Sequence, residues 1–119
     1  MSRVLVVDDE PQILALYRAV FEHESFEVLE AASVKDGLRL LEAQPPDAII
    51  LDVSMSDGGA LEMLRLLKER GCSIPAVVVT GYLVESISAV ARCLGAAGVI
   101  TKTAGPRAVL REVRRVLAA

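Results

Sequence analysis

The sequence predicts an α/β fold built on a parallel sheet, and three observations carry that prediction. The runs Val4-Leu5-Val6-Val7, Ala48-Ile49-Ile50-Leu51 and Ala76-Val77-Val78-Val79 are continuously apolar, as strands buried on both faces are. Segments of helical period separate them. Each run also ends abruptly in polar residues: Asp8-Asp9-Glu10, Asp52, and Thr80-Gly81. In open parallel sheets, ligands bind beyond the carboxyl ends of the strands, so these endings are where chemistry is expected.

The 119 residues suit one ordinary domain, 1–119, and 53% of them are hydrophobic, enough to cover both faces of a sheet. No apolar run approaches the roughly 18 residues of a membrane span. Met1-Ser2-Arg3 leads straight into the first strand, so no signal peptide is expected and the protein is read as cytoplasmic. A net charge of −3 is too mild to imply a nucleic-acid partner. Aromatic residues make up 3% and Trp is absent, which argues against a base-stacking platform. Cys72 and Cys93 lack metal-ligand spacing and read as ordinary reduced thiols.

The first strand is expected over Arg3 to Val7. Asp9 precedes Glu10-Pro11, a helix start with proline near the first turn, and Ile13, Leu14, Tyr17, Val20 and Phe21 follow at helical spacing. His23 falls at that helix's polar end and reads as a solvated side chain. Phe26 to Ala31 mixes apolar and acidic residues, the pattern of a less buried edge strand. Ser33 can cap a second helix with Val34, Leu38 and Leu41 inward. Gln44-Pro45-Pro46-Asp47 stops it, Asp47 serving as a turn residue, and the central strand ends at Asp52.

Ser54 to Gly59 reads as an irregular loop. Leu61, Leu64 and Leu67 mark a third helix that ends near Arg70-Gly71. Ile74-Pro75 opens the strand ending at Val79, and a fourth helix spans about Val84 to Leu94, with Ile87 and Ala91 on the same face. Gly95-Ala96-Ala97-Gly98 turns into a short strand, Val99-Ile100-Thr101, closed by Lys102. Pro106 starts a last helix with Leu110, Val113 and Leu117 inward. Five strands alternating with five helices require parallel pairing with right-handed crossovers. The second strand's edge pattern favours the flavodoxin-like order 2-1-3-4-5, whose switch point between strands 1 and 3 would bring Asp8, Asp9 and Asp52 together.

Three such carboxylates cannot all stay ionised without counter-charge. Together they sum to −3, and a divalent cation with Lys102 sums to +3. Hard carboxylate oxygens with no His/Cys set suit Mg²⁺ rather than zinc. A carboxylate can attack a phosphoryl group to form an acyl phosphate, a transfer that needs mainly positioning and neutralisation of oxygens. Asp52 is the expected nucleophile, with a hydroxyl from Thr80 and an ammonium from Lys102 on the phosphoryl oxygens. Taken singly, Asp9 could be a helix cap, Thr80 a helix-entry residue, Lys102 a solvated charge and Asp52 a loop residue. Their order at the ends of successive apolar runs is far more specific.

The motifs Val6-Val7-Asp8-Asp9-Glu10, Leu51-Asp52, Val79-Thr80-Gly81 and Thr101-Lys102 resemble those of response-regulator receiver domains of two-component signalling, from Arg3 to about Leu117. The resemblance implies phosphorylation of Asp52 by the phosphohistidine of a sensor histidine kinase or phosphotransfer protein, or by small phosphodonors. It implies Asp9 and Asp52 as direct Mg²⁺ ligands, Asp8 as a water-mediated ligand, and Ser54 as a ligand through its backbone carbonyl. Thr80 and Lys102 would contact the phosphoryl group. The chain would then be a phosphoacceptor rather than an enzyme, catalysing at most its own phosphorylation and dephosphorylation.

Three positions depart from the family pattern. Val99 stands where receivers commonly carry the aromatic that turns inward with the threonine, so the usual relay cannot operate in its normal form. Tyr82 is available to shape access to the site or to an alternative readout. Thr103 follows Lys102 where proline, often cis, is typical; cis before a non-proline residue costs about 2.5–4 kcal/mol, so a trans bond is expected. Ser56 also replaces a common proline, and Gly58-Gly59 loosens the loop after Asp52.

Arg107, Arg111, Arg114 and Arg115 form a basic stripe on the last helix. It reads as a solvated face or as part of a docking or homodimer surface made by the fourth helix, fifth strand and fifth helix, not as a DNA-reading element. A constitutive interaction module and a small Mg²⁺-dependent phosphohydrolase are the competing functional classes. The first would bind partners indifferently to phosphate, and the second would need a substrate pocket that this sequence does not display.

Overall fold

Each of the three continuous apolar runs forms an interior strand of a single sheet. The computed structural model describes residues 1–53, 59–81 and 85–119. Strands β1 (Arg3–Val7), β2 (Glu27–Ala31), β3 (Ala48–Asp52), β4 (Ala76–Thr80) and β5 (Gly98–Thr101) alternate with helices α1 (Pro11–His23), α2 (Val34–Ala43), α3 (Gly59–Glu69), α4 (Glu85–Cys93) and α5 (Pro106–Ala118). A short 3₁₀ turn, Lys102–Ala104, links β5 to α5. All pairings are parallel and the order is 2-1-3-4-5, as expected.

Alternation along the strands divides the core into two layers. Leu5, Val7, Ile49, Leu51 and Val78 pack with Val34, Leu41, Met63, Leu64, Leu67 and Ala91 of α2, α3 and α4. Val4, Val6, Ile50, Val77 and Val79 pack with Tyr17, Phe21, Val109, Leu110, Val113 and Val116 of α1 and α5. β3 and β4 are buried along their whole length, whereas edge strand β2 exposes Glu27 and Glu30. That is why only β2 carried acidic residues interspersed with its apolar ones.

Local signals act where the residue types allow. Ser33 Oγ accepts the Asp36 N–H at 3.1 Å and caps α2. Gly71 adopts φ +67°, and the Cys72 N–H returns to the Leu67 carbonyl at 3.0 Å, which closes α3. Asp47 has a structural role: its Oδ2 accepts the Arg3 N–H at 2.7 Å, and its own N–H donates to the Arg3 carbonyl at 2.8 Å. That exchange pins β1 to β3 at the end of the sheet opposite Asp52.

Several element ends differ by one residue from the sequence reading: β2 begins at Glu27 rather than Phe26, and β5 at Gly98 rather than Val99. β4 runs one residue further, through Thr80, because Thr80 still pairs with Thr101 of β5. α4 ends at Cys93 rather than Leu94, and its expected start, Val84, lies outside the described residues. On α5, Leu117 is only half-buried, while Val109 and Val116 carry the inward packing beside Leu110 and Val113.

Candidate functional site

The strand register assembles the site. Val7 pairs with Leu51, so Asp8 emerges beside Asp52; Asp52 pairs with Val79, which puts Thr80 one step beyond. Thr80 pairs with Thr101, which places Lys102 just past the end of β5. Asp8 and Asp52 follow Val6 and Ile50 by two residues and project to the same side of the sheet. Asp8, Asp52 and Thr80 are each 2% exposed and are the buried polar side chains of the described residues. Three polar groups buried at one sheet end, against two apolar layers, are costly unless they serve a ligand or one another.

Lys102 turns back over this cluster. Its Nζ lies 3.2 Å from Asp52 Oδ1, 3.6 Å from Glu10 Oε1 and 4.0 Å from Asp8 Oδ2. Burial opposes its charge, but the hydrogen bond to Asp52 and the fields of Asp52, Asp8 and Glu10 outweigh that and raise its pKa. Asp8 behaves oppositely to an ordinary carboxyl. Burial, then the charges of Asp52 and Glu10, push its pKa up to about 6, against the lowering effect of the Glu10 N–H and of Lys102. That N–H donates to Asp8 Oδ1 at 2.9 Å. Beneath the site, burial and the same two aspartates raise the pKa of the Tyr17 phenol.

One oxygen each from Asp8, Asp9, Glu10 and Asp52 lies within 4.8 Å of the others, an arrangement able to hold a metal ion. Four carboxylates against one ammonium leave a formal charge of −3, which a hard divalent cation would reduce to −1. The donor set is all oxygen, two members are buried and two open to solvent, so water ligands have room. The residues present therefore fit an oxygen-seeking divalent ion.

The structure brings together Asp8, Asp9, Asp52 and Lys102, with Thr80 at the adjacent strand end. Ser54 and Tyr82 lie outside the described residues. Glu10 belongs to the cluster although the sequence reading gave it no role; its adjacency to Asp8-Asp9 was the available signal. Val99 lies on the face opposite Asp8 and Asp52, the face that Thr80 shares two residues after Val78, half-buried against the α2–α4 layer and paired with Val78. A β-branched aliphatic is stiff at χ1 and has no hydroxyl or ring to exchange with Thr80. The Lys102–Thr103 bond is trans, and the Thr103 N–H donates to Thr101 Oγ1 at 3.4 Å.

This arrangement coincides with a known family pattern: the model of the response regulator receiver domain matches residues 4–114. The chain belongs to that family. The receiver is 30% identical over 116 residues to the alkaline phosphatase synthesis transcriptional regulatory protein PhoP of Bacillus subtilis, covering 98% of this chain and 48% of that protein. It is 34% identical over 103 residues to the photosynthetic apparatus regulatory protein RegA of Cereibacter sphaeroides, covering 87% and 55%. The chain thus spans about half the length of the curated relatives it matches. Among solved structures, a CheY-like receiver domain protein of Methanospirillum hungatei superposes with a TM-score of 0.91 at 28% identity, covering 99% of this chain and 94% of that one. A two-component response regulator of the LuxR family from an Aurantimonas species gives 0.92 at 25%, covering 99% and 86%. Receivers are signalling domains, not classical enzymes. No helix among the described residues of this one is long and apolar enough to cross a membrane.

Proposed function

We propose that this receiver is a phosphoacceptor whose nucleophile is Asp52. The observation that carries the reading is the placement of Asp52: buried at the carboxyl end of the central strand, 3.2 Å from the Lys102 ammonium, within one cluster of carboxylate oxygens. A carboxylate oxygen of Asp52 attacks phosphorus; the bond from phosphorus to the donor nitrogen or oxygen breaks, and an acyl phosphate remains on Asp52. Lys102 then meets phosphoryl oxygens in place of the unmodified carboxylate, and Thr80 offers its hydroxyl from the neighbouring strand end. Asp8, Asp9 and Asp52, with the Ser54 carbonyl, would hold Mg²⁺, which supplies charge neutralisation for the transferring phosphoryl group.

The donor class is a sensor histidine kinase or phosphotransfer protein, with small phosphodonors as substitutes, in the cytoplasm. The domain is taken as one unit, 1–119, its output acting through self-association or effector docking on α4, β5 and α5. We place no nucleic-acid contact on this chain. Arg114 pairs with Glu24 of the α1 end at 3.4 Å, and Arg115 with Glu112 at 2.8 Å and the Ala97 carbonyl at 3.0 Å. Two of the stripe's four arginines, Arg114 and Arg115, are thereby engaged in internal contacts. Beryllofluoride with Mg²⁺ tests the proposal: it should bind one equivalent to the native chain and none to Asp52→Asn, and equal binding to both would reject Asp52.

The packing of Val99 favours one second reading, a receiver-shaped interaction module without phosphate switching. It predicts partner affinity unchanged by beryllofluoride.

A further inference from the structure

Lys102 faces three carboxylates that are not equivalent. The Asp8 and Asp52 side chains are 3% and 2% exposed, while that of Glu10 is 46% exposed. The backbone of Glu10 is fixed over the site by its N–H on Asp8 Oδ1, so only its carboxylate is free to swing between the ammonium and water. A phosphoryl group on Asp52 would place new anionic oxygens beside an ammonium already shared with Glu10. How firmly Lys102 holds that group is then a competition.

We propose that Glu10 is a positioning residue: it holds the Lys102 ammonium at the open side of the site and sets the fraction of it that an anion on Asp52 can claim. The inference rests on the reading of Asp52 as the phosphoacceptor and adds a determinant of phosphoryl lifetime to it. Its reach matters as much as its charge. A 3.6 Å contact lies near the limit of a direct ion pair, so shortening the side chain by one methylene ends it.

The test compares the native chain with Glu10→Gln and Glu10→Asp at saturating Mg²⁺. Beryllofluoride should bind both variants about two- to fivefold more tightly, the range set by a partly exposed ion pair. Glu10→Asp keeps the charge but loses the reach, so an affinity equal to the native value would show that only the field of Glu10 matters and would overturn the proposal. A second readout needs neither metal nor anion: the side-chain NMR signals of Lys102 should shift in both variants, and unmoved signals would overturn it too. Failure of the native chain to bind beryllofluoride would instead remove the phosphoacceptor reading and this inference together, whatever the Lys102 signals do.

Discussion

Replacing Asp8 by Asn should stabilise the metal-free protein while removing its capacity for a divalent ion. The folded state lifts the Asp8 pKa from 3.8 to about 6, so its ionised form is disfavoured there relative to the unfolded chain. A shift of about two units corresponds to ~3 kcal/mol, an upper figure because Asp8 and Asp52 share the cluster. The sign follows from proton counting. Between pH 3.8 and 6 the folded protein binds more protons at this site than the unfolded one, so stability falls as pH rises through that window. The cost is fully present above pH 6 and absent below pH 3.8. Asparagine retains the Oδ1 that accepts the Glu10 N–H at 2.9 Å, so the substitution removes charge without orphaning that donor. Urea unfolding in EDTA at pH 7.5 should therefore show Asp8→Asn more stable by about 1–3 kcal/mol, a margin that shrinks towards zero near pH 4. Adding Mg²⁺ should raise the stability of the native chain by mass action and leave the variant nearly unchanged. A variant no more stable than the native protein at pH 7.5, or a margin that persists at pH 4, would refute the reasoning.

Ile50 is fully buried in β3 against the α1–α5 layer, and Ile50→Ala should cost about 2–5 kcal/mol in urea unfolding. A loss under about 1 kcal/mol would mean that this layer is not close-packed. Gly59 opens α3 at φ +66°, and a Cβ there would stand 2.7 Å from the Val53 carbonyl, next to Asp52. Gly59→Ala should therefore destabilise by about 1–3 kcal/mol and lower Tm, whereas an unchanged Tm would show that the backbone relaxes freely. Ser33→Ala removes the α2 cap and should cost about 1 kcal/mol, read in the same unfolding assay.

The interior strands were legible because burial on both faces leaves a continuous apolar run, and their polar endings marked the site. Helix-face burial was less legible. Met63 and Val109 pack fully, yet their neighbours at helical spacing drew the attention, since a hydrophobic stripe is wider than any single row of positions. The stripe on α5 is exposed as expected, but the partners of its arginines were not legible. A helical wheel shows four arginines on one side, but not that Arg114 meets Glu24 from another helix or that Arg115 folds onto Glu112 and Ala97. The adjacency of Glu10 to Asp8-Asp9 was visible, but its ion pair was not, because Lys102 arrives from the far end of the chain. Val99 announced a missing aromatic, while its half-buried packing against the α2–α4 layer needed the fold.

The central claim is that Asp52 carries the phosphoryl group. Incubation with phosphoramidate and Mg²⁺, borohydride trapping and peptide mass spectrometry test it most directly. A single modification is predicted, on Asp52, and it should disappear with EDTA. A modification on another residue, or an unmodified chain, would contradict the account.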